Sequence, residues 1–378
     1  RRQRQMCIRD RGTILYISKI YLKNFRNYEE QEVLLNEKVN IVYGKNAQGK
    51  TNLLESIFLC STGRSHRTAK DYELIKEGQH SYSVKIEGFR DDIPFNIGIF
   101  FEKDGRKNIT INNLKVKKLG ELMGVLNTVI FSPEDLQIIK RGPGERRRFL
   151  DILISQTHPA YFYKLQTYMR VVKQKSALLR KYEIKGNKEE LLDVFNLKQA
   201  EIGSEIVSER EKFISDIKEK LKENHSKLTK NKEEIKIKYI SSAGKKCDSP
   251  EGFYKFLNNN KKKEIRNGSC MYGPHRDDLE FYINGSDLKA YGSQGQQRTA
   301  VLSLKLTEID IIVEMTGFSP VLLLDDVMSE LDLSRKRYLL ENIKTRQTII
   351  TGTEKRTYAA FENISSFYNV VNGTVIRK

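Results

Sequence analysis

The chain has 378 residues, with 67 Lys and Arg against 49 Asp and Glu and a formal net charge of +18. This length suffices for two domains with substantial cores. The four cysteines are far apart and form no C-x-x-C pair, which indicates a reducing cytoplasm, and no apolar run approaches the eighteen or so residues of a membrane-spanning helix.

The excess of positive charge favours a polyanionic partner, and nucleic acid is the first candidate. Charge alone does not separate nucleic acid from an anionic membrane surface, or from charge that only keeps a protein soluble. No signal peptide is visible, and nothing in the sequence requires a membrane.

Residues 1–13 are basic with few apolar side chains, which predicts a disordered extension. A basic arm on nucleic acid and a non-native extension are both open interpretations of this segment. From Ile14 to Leu35 the apolar residues alternate on either side of a polar turn at residues 24–28, which predicts two paired strands.

A phosphate-binding loop follows the next strand. Residues 39–43 are apolar and β-branched, residues 52–59 have helical spacing, and the segment between them matches G-x-x-x-x-G-K-[ST] without a mismatch. The matching residues are Gly44, Lys45, Asn46, Ala47, Gln48, Gly49, Lys50 and Thr51. The alternative is a glycine-rich turn that carries a Lys and a Thr by chance, but the flanking strand and helix would then also be accidental.

The chemistry of this loop follows from its residue types. Gly44 and Gly49 allow backbone N–H groups to surround a phosphate, and the helix that starts near Lys50 directs its positive end at the same anion. Lys50 is expected to reach the β- and γ-phosphates, and the Thr51 hydroxyl is expected to bind Mg²⁺. The sequence therefore predicts a site for a nucleoside triphosphate.

An antiparallel patch and a helical segment come next. Alternation over 82–89, 93–101 and 108–111 predicts antiparallel strands, and residues 128–131 predict a further core strand. The basic loop at 63–68 could contact phosphate or DNA, or be only solvated. Of the adjacent Arg146, Arg147 and Arg148, at least one is expected to face a partner or an acid, because three consecutive residues cannot share one helix face.

Residues 161–228 are helical and highly charged, and predict two or three long helices with an apolar stripe and a basic surface. We therefore expect an α/β protein in which a helical insertion domain at 141–267 interrupts a nucleotide-binding domain formed by 14–140 and 268–378.

The second half of the nucleotide domain supplies two further groups of candidate residues. A glycine loop at 291–298 opens a helix, which makes a second anion-binding helix end. The apolar strand at 321–324 ends at two carboxylates, of which Asp325 can hold Mg²⁺ while Asp326 can orient the attacking water.

Together these segments resemble ABC-type ATPase heads and, among them, the RecF family of DNA-repair proteins, which are relatives of the SMC proteins. The resemblance covers nearly the whole chain from about Tyr16, and its motifs occur in the family's order. They lie at residues 22–28, 44–51, 64–68, 131–136, 142–151, 273–278, 292–296 and 325–326.

The resemblance implies the fold of an ABC-type P-loop ATPase head with an antiparallel β patch and an inserted helical second domain. It implies that Ser293, Gly295 and Gln296 form the signature motif, which contacts the γ-phosphate bound to another protomer. Residues 329–332 resemble the D-loop, which crosses the same interface. ATP would therefore join two copies in a head-to-tail homodimer, with Mg²⁺ as the accompanying ion.

The resemblance also implies partners and an activity. The protein would be a weak DNA-dependent ATPase that holds double-stranded DNA near single-strand gaps, works with RecR and RecO, and helps RecA to load. Two other classes share the motifs, namely the nucleotide-binding subunit of an ABC transporter and an SMC-like clamp. The charged helical insertion argues against the first, and the short helical segment argues against the second.

The sequence departs from the usual ABC pattern at three places. Asp326 stands where most heads have Glu, and its shorter side chain predicts slow hydrolysis. No Gln follows the strand at 129–131, where Pro133 and Glu134 stand instead. The switch His is absent after Ile350, and either Thr351 or Thr353 could replace it.

Overall fold

The computed structural model describes residues 14–180, 188–343, 345–356, 358 and 365–378, with the backbone alone at 188, 329, 330, 333, 334 and 342. The predicted extension at 1–13 lies outside these residues. The chain folds as two compact units. Unit 1 contains the described residues up to Asp135 together with those of Glu308–Lys378, and unit 2 contains those of Leu136–Thr307.

The strands of the described chain are β1 Leu15–Phe25, β2 Tyr28–Leu34, β3 Val39–Tyr43, β4 Ser81–Arg90, β5 Ile93–Glu102, β6 Lys107–Ile111, β7 Leu114–Lys115, β8 Thr128–Phe131, β9 Ile235–Ile240, β10 Asp278–Ile283, β11 Ser286–Asp287, β12 Val321–Leu324, β13 Thr348–Gly352, β14 Ser365–Val371 and β15 Thr374–Arg377. Each strand predicted from alternation or from an apolar run is confirmed.

The α-helices of the described chain are α1 Lys50–Thr62, α2 Gln137–Lys140, α3 Pro143–Thr157, α4 Pro159–Arg180, α5 Lys188–Thr229, α6 Pro250–Asn259, α7 Lys261–Asn267, α8 Leu288–Tyr291, α9 Gln294–Thr316, α10 Val327–Glu330 and α11 Leu333–Ile343. The two long helices α4 and α5 confirm the prediction for 161–228. Among the described helices, none is both long and apolar enough to cross a membrane.

Unit 1 contains an antiparallel sheet in the order β2-β1-β4-β5-β6-β7. A bulge in β1 between Ile17 and Lys19 moves the buried face from odd to even positions, so that Ile17 and then Ile20 are both buried. The Gln347 side chain accepts from Ile17 N across 2.7 Å and donates to Ile17 O across 2.6 Å. This buried amide therefore satisfies both backbone groups of Ile17 beside the bulge.

The second sheet of unit 1 has the order β15-β14-β3-β13-β12-β8 and is parallel except for the pairing of β14 with β15. Its inner strands β3, β13 and β12 are mostly apolar, because parallel strands are covered on both faces. Helix α1 contacts both sheets. Because the inner strands are parallel, the residues that follow β3, β12 and β13 meet at one edge, where the candidate site lies.

Unit 2 combines helices α3–α7 with the small sheet β11-β10-β9. Its core includes Ala200 and Val207 of α5 against Phe253 and Leu257 of α6. Gly203 is required at this contact, because a Cβ there would lie 2.8 Å from the Phe253 ring. The buried Arg210 bonds Asp151 across 2.7 Å.

The compact units differ from the domain bounds predicted from the sequence. Residues 268–307, predicted as part of the nucleotide domain, lie in the same unit as the helical insertion. The physical reason is local pairing, since β10 pairs along its length with β9 and Asp278 is bonded to Arg146 across 2.6 Å. Arg146 thereby confirms that one of the three adjacent arginines faces an acid. The boundary of the two units falls inside α9.

Candidate nucleotide site

At two positions of the loop between β3 and α1, the backbone has a conformation and surroundings that only glycine fits. Gly44 has φ of 156° and Gly49 has φ of 115°. A Cβ at Gly44 would lie 2.4 Å from Val370 O, and one at Gly49 would lie 2.6 Å from Asn27 Nδ2. Both glycines are therefore needed for the loop to lie against its neighbours.

Lys50 is the first residue of α1, and its side chain turns back over the loop. Its Nζ donates to Gly44 O across 2.8 Å and to Lys45 O across 3.0 Å. The side chain is buried, whereas Lys45, Asn46 and Ala47 are exposed. The ammonium group therefore lies at the concave side of the loop, where a phosphate would accept its hydrogen bonds.

Gln48 attaches the loop to the last two strands. Its Oε1 accepts from Asn372 N across 2.6 Å, and its backbone oxygen accepts from Gly373 N across 3.2 Å. The same backbone oxygen accepts from Asn27 Nδ2 across 2.8 Å. Gln48, a residue of the predicted loop, thus holds the loop against the turn between β14 and β15.

Three elements meet at the Asp325 carboxylate. Thr51 Oγ1 donates to Asp325 Oδ1 across 2.9 Å, and Thr351 Oγ1 donates to the same oxygen across 2.8 Å. Burial raises the pKa of Asp325 above its ordinary value, and the charges of Asp326 and Glu134 add to the rise, while the two threonine hydroxyls oppose it. A cation beside Asp325 would relieve this accumulation of negative charge.

The arrangement of Thr51 and Asp325 fits Mg²⁺. Two ligands on neighbouring corners of an octahedron lie about 3.0 Å apart when each is about 2.1 Å from the ion. Among the described residues, no group of three or more His, Cys, Asp or Glu could hold a metal ion. Thr51 and Asp325 would supply one hydroxyl and one carboxylate to such an ion, and phosphate and water would supply its other ligands.

A hydrogen bond joins Asp326, which follows β12, to Thr351 of β13. Asp326 has φ of 52°, and its N–H donates to Thr351 Oγ1 across 2.9 Å. Thr351 is buried, whereas Thr353 is exposed. Of the two threonines left open for the switch position, Thr351 is the one in contact with both carboxylate residues.

The structure adds a buried carboxylate for which the sequence predicted no role. Glu55 of α1 accepts from Arg26 across 2.8 and 2.9 Å and from Ser65 across 2.5 Å. Burial alone would raise the pKa of Glu55, but these bonds and the charges of Arg26 and Arg67 outweigh it, so the pKa lies below its ordinary value. A carboxylate within the otherwise apolar face of α1 is the signal that could have found this cluster.

The signature segment lies in unit 2, at the start of α9. Ser293 and Gly295 are exposed, and a Cβ at Gly295 would meet only Ser293 Oγ at 3.9 Å. Gln296 N donates to Ser293 Oγ across 3.2 Å, and Ser293 N donates to Gln296 Oε1 across 2.9 Å. Gln296 therefore caps its own helix.

The segment that resembles the D-loop is described in part. The side chains of Ser329 and Glu330 lie outside the described residues. Asp332 accepts from Arg335 N across 2.9 Å and from Arg335 Nη1 across 2.6 Å. Asp332 is thus the capping residue of α11.

The whole chain matches known proteins. Residues 16–376 match the family described as RecF/RecN/SMC N terminal domain. The DNA replication and repair protein RecF of Acetivibrio thermocellus is 46% identical over 349 residues, which cover 91% of this chain and 95% of that protein. The RecF of Clostridium perfringens strain 13 is 43% identical over 363 residues, which cover 96% and 99%.

Solved structures agree with these matches. The recombination mediator protein RecF of the RecFOR pathway, solved with ATP, superposes with a TM-score of 0.91 at 37% identity over 98% of this chain and 99% of that chain. The Smc head domain of Pyrococcus furiosus, bound to the C-terminal domain of ScpA, has a TM-score of 0.54 at 17% identity over 96% of each chain, which shows a shared fold.

The fold, with its phosphate loop and strand-end carboxylates, defines an ABC-type ATPase head of the SMC class. The predicted fold class is confirmed. Within that class, the chain belongs to the RecF family of DNA replication and repair proteins.

Proposed function

We propose that this protein is an ATP-dependent DNA-binding protein of recombinational repair and replication-fork maintenance. ATP closes a head-to-tail homodimer, the dimer holds double-stranded DNA near single-strand gaps, and slow hydrolysis reopens it. The observation that carries this proposal is the contact of Thr51 with Asp325 beside the Gly44–Thr51 loop, in a chain of the RecF family. The match to RecF solved with ATP supports it.

Each side chain of the loop has a separate role in this proposal. Lys50 and the N-terminus of α1 bind the β- and γ-phosphates, and Lys45, Asn46, Ala47 and Gln48 complete the loop around them. Thr51 and Asp325 hold Mg²⁺, which neutralises charge on the phosphates when bound. Asp326 orients the attacking water, and its short side chain makes this step slow.

Dimer formation rests on the second helix end. Ser293 and Gly295 are exposed at the start of α9 and are available to a nucleotide held by another copy. Two anion-binding helix ends in one chain are hard to reconcile with a single triphosphate. A pair of shared sites in a homodimer gives both helix ends a function.

DNA binding rests on charge. The formal charge of +18 and the exposed side chains of Lys212, Lys218, Lys222 and Lys227 on α5 supply the phosphate contacts that sequence-independent binding needs. RecR and RecO are the proposed protein partners, and RecA loading is the proposed outcome, as the RecFOR pathway of the matching structure suggests. The matches to RecF proteins do not favour the transporter alternative.

Sedimentation velocity tests the shared-site dimer. The protein is run without nucleotide, with ADP, and with a slowly hydrolysed ATP analogue and Mg²⁺. We expect a dimer only with the analogue, no nucleotide binding by Lys50→Met, and intact binding without a dimer for Ser293→Arg. Ser208→Arg places the same charge on an exposed serine of α5 and is the matched control. A Ser293→Arg protein that still dimerises would refute the role of the signature segment.

A further inference from the structure

The capping arrangement at the start of α9 depends on how the Gln296 amide is turned. Its Oε1 accepts from Ser293 N, so its NH₂ group must point elsewhere. That group donates to Glu233 Oε1 across 3.0 Å. Glu233 lies between α5 and β9, outside every motif of the nucleotide site.

Glu233 is itself held in place. Its Oε2 lies 3.4 Å from Nε2 of His225, a buried residue of α5. The other ring nitrogen of His225 lies 3.0 Å from Ser303 Oγ of α9. Residues 296 and 303 lie seven positions apart and share one face of α9. Glu233 bonds this face at Gln296, and His225 of α5 bonds it at Ser303.

The Glu233 carboxylate fixes the orientation of the Gln296 side-chain amide, which a neutral group that both donates and accepts would not do. Ionised Glu233 only accepts hydrogen bonds, so it can face only the NH₂ end of Gln296. The oxygen end is then turned to Ser293 N, and Ser293 Oγ accepts from Gln296 N across 3.2 Å. A hydroxyl whose oxygen accepts in this way keeps its proton for donation to another acceptor.

We propose that Glu233 is a positioning residue of the signature segment: by fixing the Gln296 amide, it orients the Ser293 hydroxyl as a donor toward the γ-phosphate of the opposite protomer. This inference rests on the proposed shared-site dimer for its functional consequence. The capping geometry that it invokes is a property of unit 2 alone.

Exchanging the side chains of Glu233 and Gln296 distinguishes a specific hydrogen bond from a general loss of packing, because only a specific bond is restored by the exchange. Gln296→Glu keeps an acceptor for Ser293 N but sets a second carboxylate against Glu233. Glu233→Ala removes the acceptor. In the double variant Glu233→Gln/Gln296→Glu, the new amide donates to the new carboxylate, so the same bonds form with the partners exchanged. Glu234→Gln changes the neighbouring exposed carboxylate and is the control.

The first readout is hydrogen exchange at the amides of Ser293 and Gln296 without nucleotide. We expect exchange at least tenfold faster in Glu233→Ala and in Gln296→Glu, and a return to within about threefold of the wild-type rate in the exchanged pair. Unchanged exchange in both single variants, or no recovery in the exchanged pair, would overturn the assignment.

The second readout is dimerisation with the slowly hydrolysed ATP analogue. We expect the dimer dissociation constant to rise at least tenfold in the single variants, while nucleotide binding by the monomer stays unchanged, and to recover in the exchanged pair. If the wild type stays monomeric, the shared-site dimer is refuted, and hydrogen exchange alone decides whether Glu233 positions Ser293. If exchange changes as expected but dimerisation of the single variants does not, the positioning role in the dimer is refuted.

Discussion

The hydroxyl of Thr351, in β13, bonds the carboxylate of Asp325, which directly follows β12, across 2.8 Å. The same hydroxyl oxygen accepts the N–H of Asp326 across 2.9 Å. One buried side chain thus orients the proposed metal-binding carboxylate and the backbone of the proposed catalytic one. Thr351 is one of the two threonines after Ile350 that could replace the switch histidine of ABC heads.

Thr351→Val keeps the shape of this side chain and removes both hydrogen bonds. The partly buried N–H of Asp326 then loses its partner, which costs about 1 kcal/mol. We expect a lower melting temperature of the ATP-free protein and ATP turnover reduced about tenfold. Thr351→Ser keeps the hydroxyl and should retain most of the turnover. Equal turnover in Val and Ser variants would show that the hydroxyl has no part in catalysis.

Thr51→Ala tests the proposed Mg²⁺ ligand. The loop backbone and Lys50 remain, so we expect ATP to bind but to need at least tenfold more Mg²⁺ for half-maximal affinity. Thr51→Ser keeps the oxygen that lies 2.9 Å from Asp325 and should need the wild-type amount. Titration of Mg²⁺ at fixed fluorescent ATP measures both. A Thr51→Ala protein with an unchanged requirement would contradict the assignment.

Asp326→Asn tests the proposed water-orienting carboxylate. Asn tolerates the φ of 52° at this position, so the backbone should stay as it is. We expect ATP binding and dimerisation at wild-type levels with turnover reduced at least tenfold. Asp92→Asn makes the same change at an exposed turn with φ of 65° and should leave turnover unchanged. Loss of ATP binding in Asp326→Asn would point to a different role.

His275 predicts a pH dependence of stability. Its Nδ1 lies 2.8 Å from the Tyr168 hydroxyl. Burial lowers the pKa of His275 to about 4, and the charges of Arg276 and Lys175 contribute. Between about pH 6.5 and pH 4 the unfolded chain takes up a proton that the folded chain does not, so the free energy of unfolding falls as pH falls, by up to about 1.4 kcal/mol per pH unit.

In His275→Gln, the free energy of unfolding should not show this fall between pH 6.5 and pH 4. Above pH 7 it should differ from the wild-type value, if at all, by a constant amount. Denaturant unfolding at pH 7.5, 6.5, 5.5 and 4.5 measures the difference between the two proteins. Parallel curves for wild type and variant would show that folding does not lower the pKa of His275.

DNA affinity should depend steeply on salt. If about six phosphates are neutralised, affinity for double-stranded DNA falls about 10³-fold between 50 and 200 mM salt. Removing two contacts with Lys218→Gln/Lys222→Gln should reduce the slope of log K against log salt by about 1.8. Fluorescence anisotropy in the presence of the ATP analogue measures both. A flat response would contradict a mainly electrostatic contact.

The core of the site could be predicted because its residues are marked locally. The loop at 44–51 has a sequence pattern of its own, and Asp325 ends an apolar strand. Thr51 and Asp325 were each predicted to bind Mg²⁺, and the structure brings them to within 2.9 Å of each other. The Gln347 amide on Ile17 carries no such mark, because its partner is 330 positions away.

The same reason explains what sequence reasoning missed elsewhere. Nothing near Glu233 indicates that it meets Gln296, 63 positions later. The compact unit around the helical insertion also contains β10, which lies within residues 268–307 and pairs with β9. Local patterns specify elements and loops, whereas side-chain partners across long separations depend on the completed fold.

The attachment of the phosphate loop to the last two strands sets an order of events during translation. Gln48 holds Asn372, which leaves the ribosome 324 residues later. At about 5–20 residues per second this delay is roughly 15 to 65 s. For most of that time β3 lacks β13 and β14, its neighbours in the sheet, because they are made only with residues 348–371. The nascent chain therefore presents the unpaired edges of β3 until β13 and β14 have emerged, and the nucleotide loop is completed only when Asn372 and Gly373 have emerged.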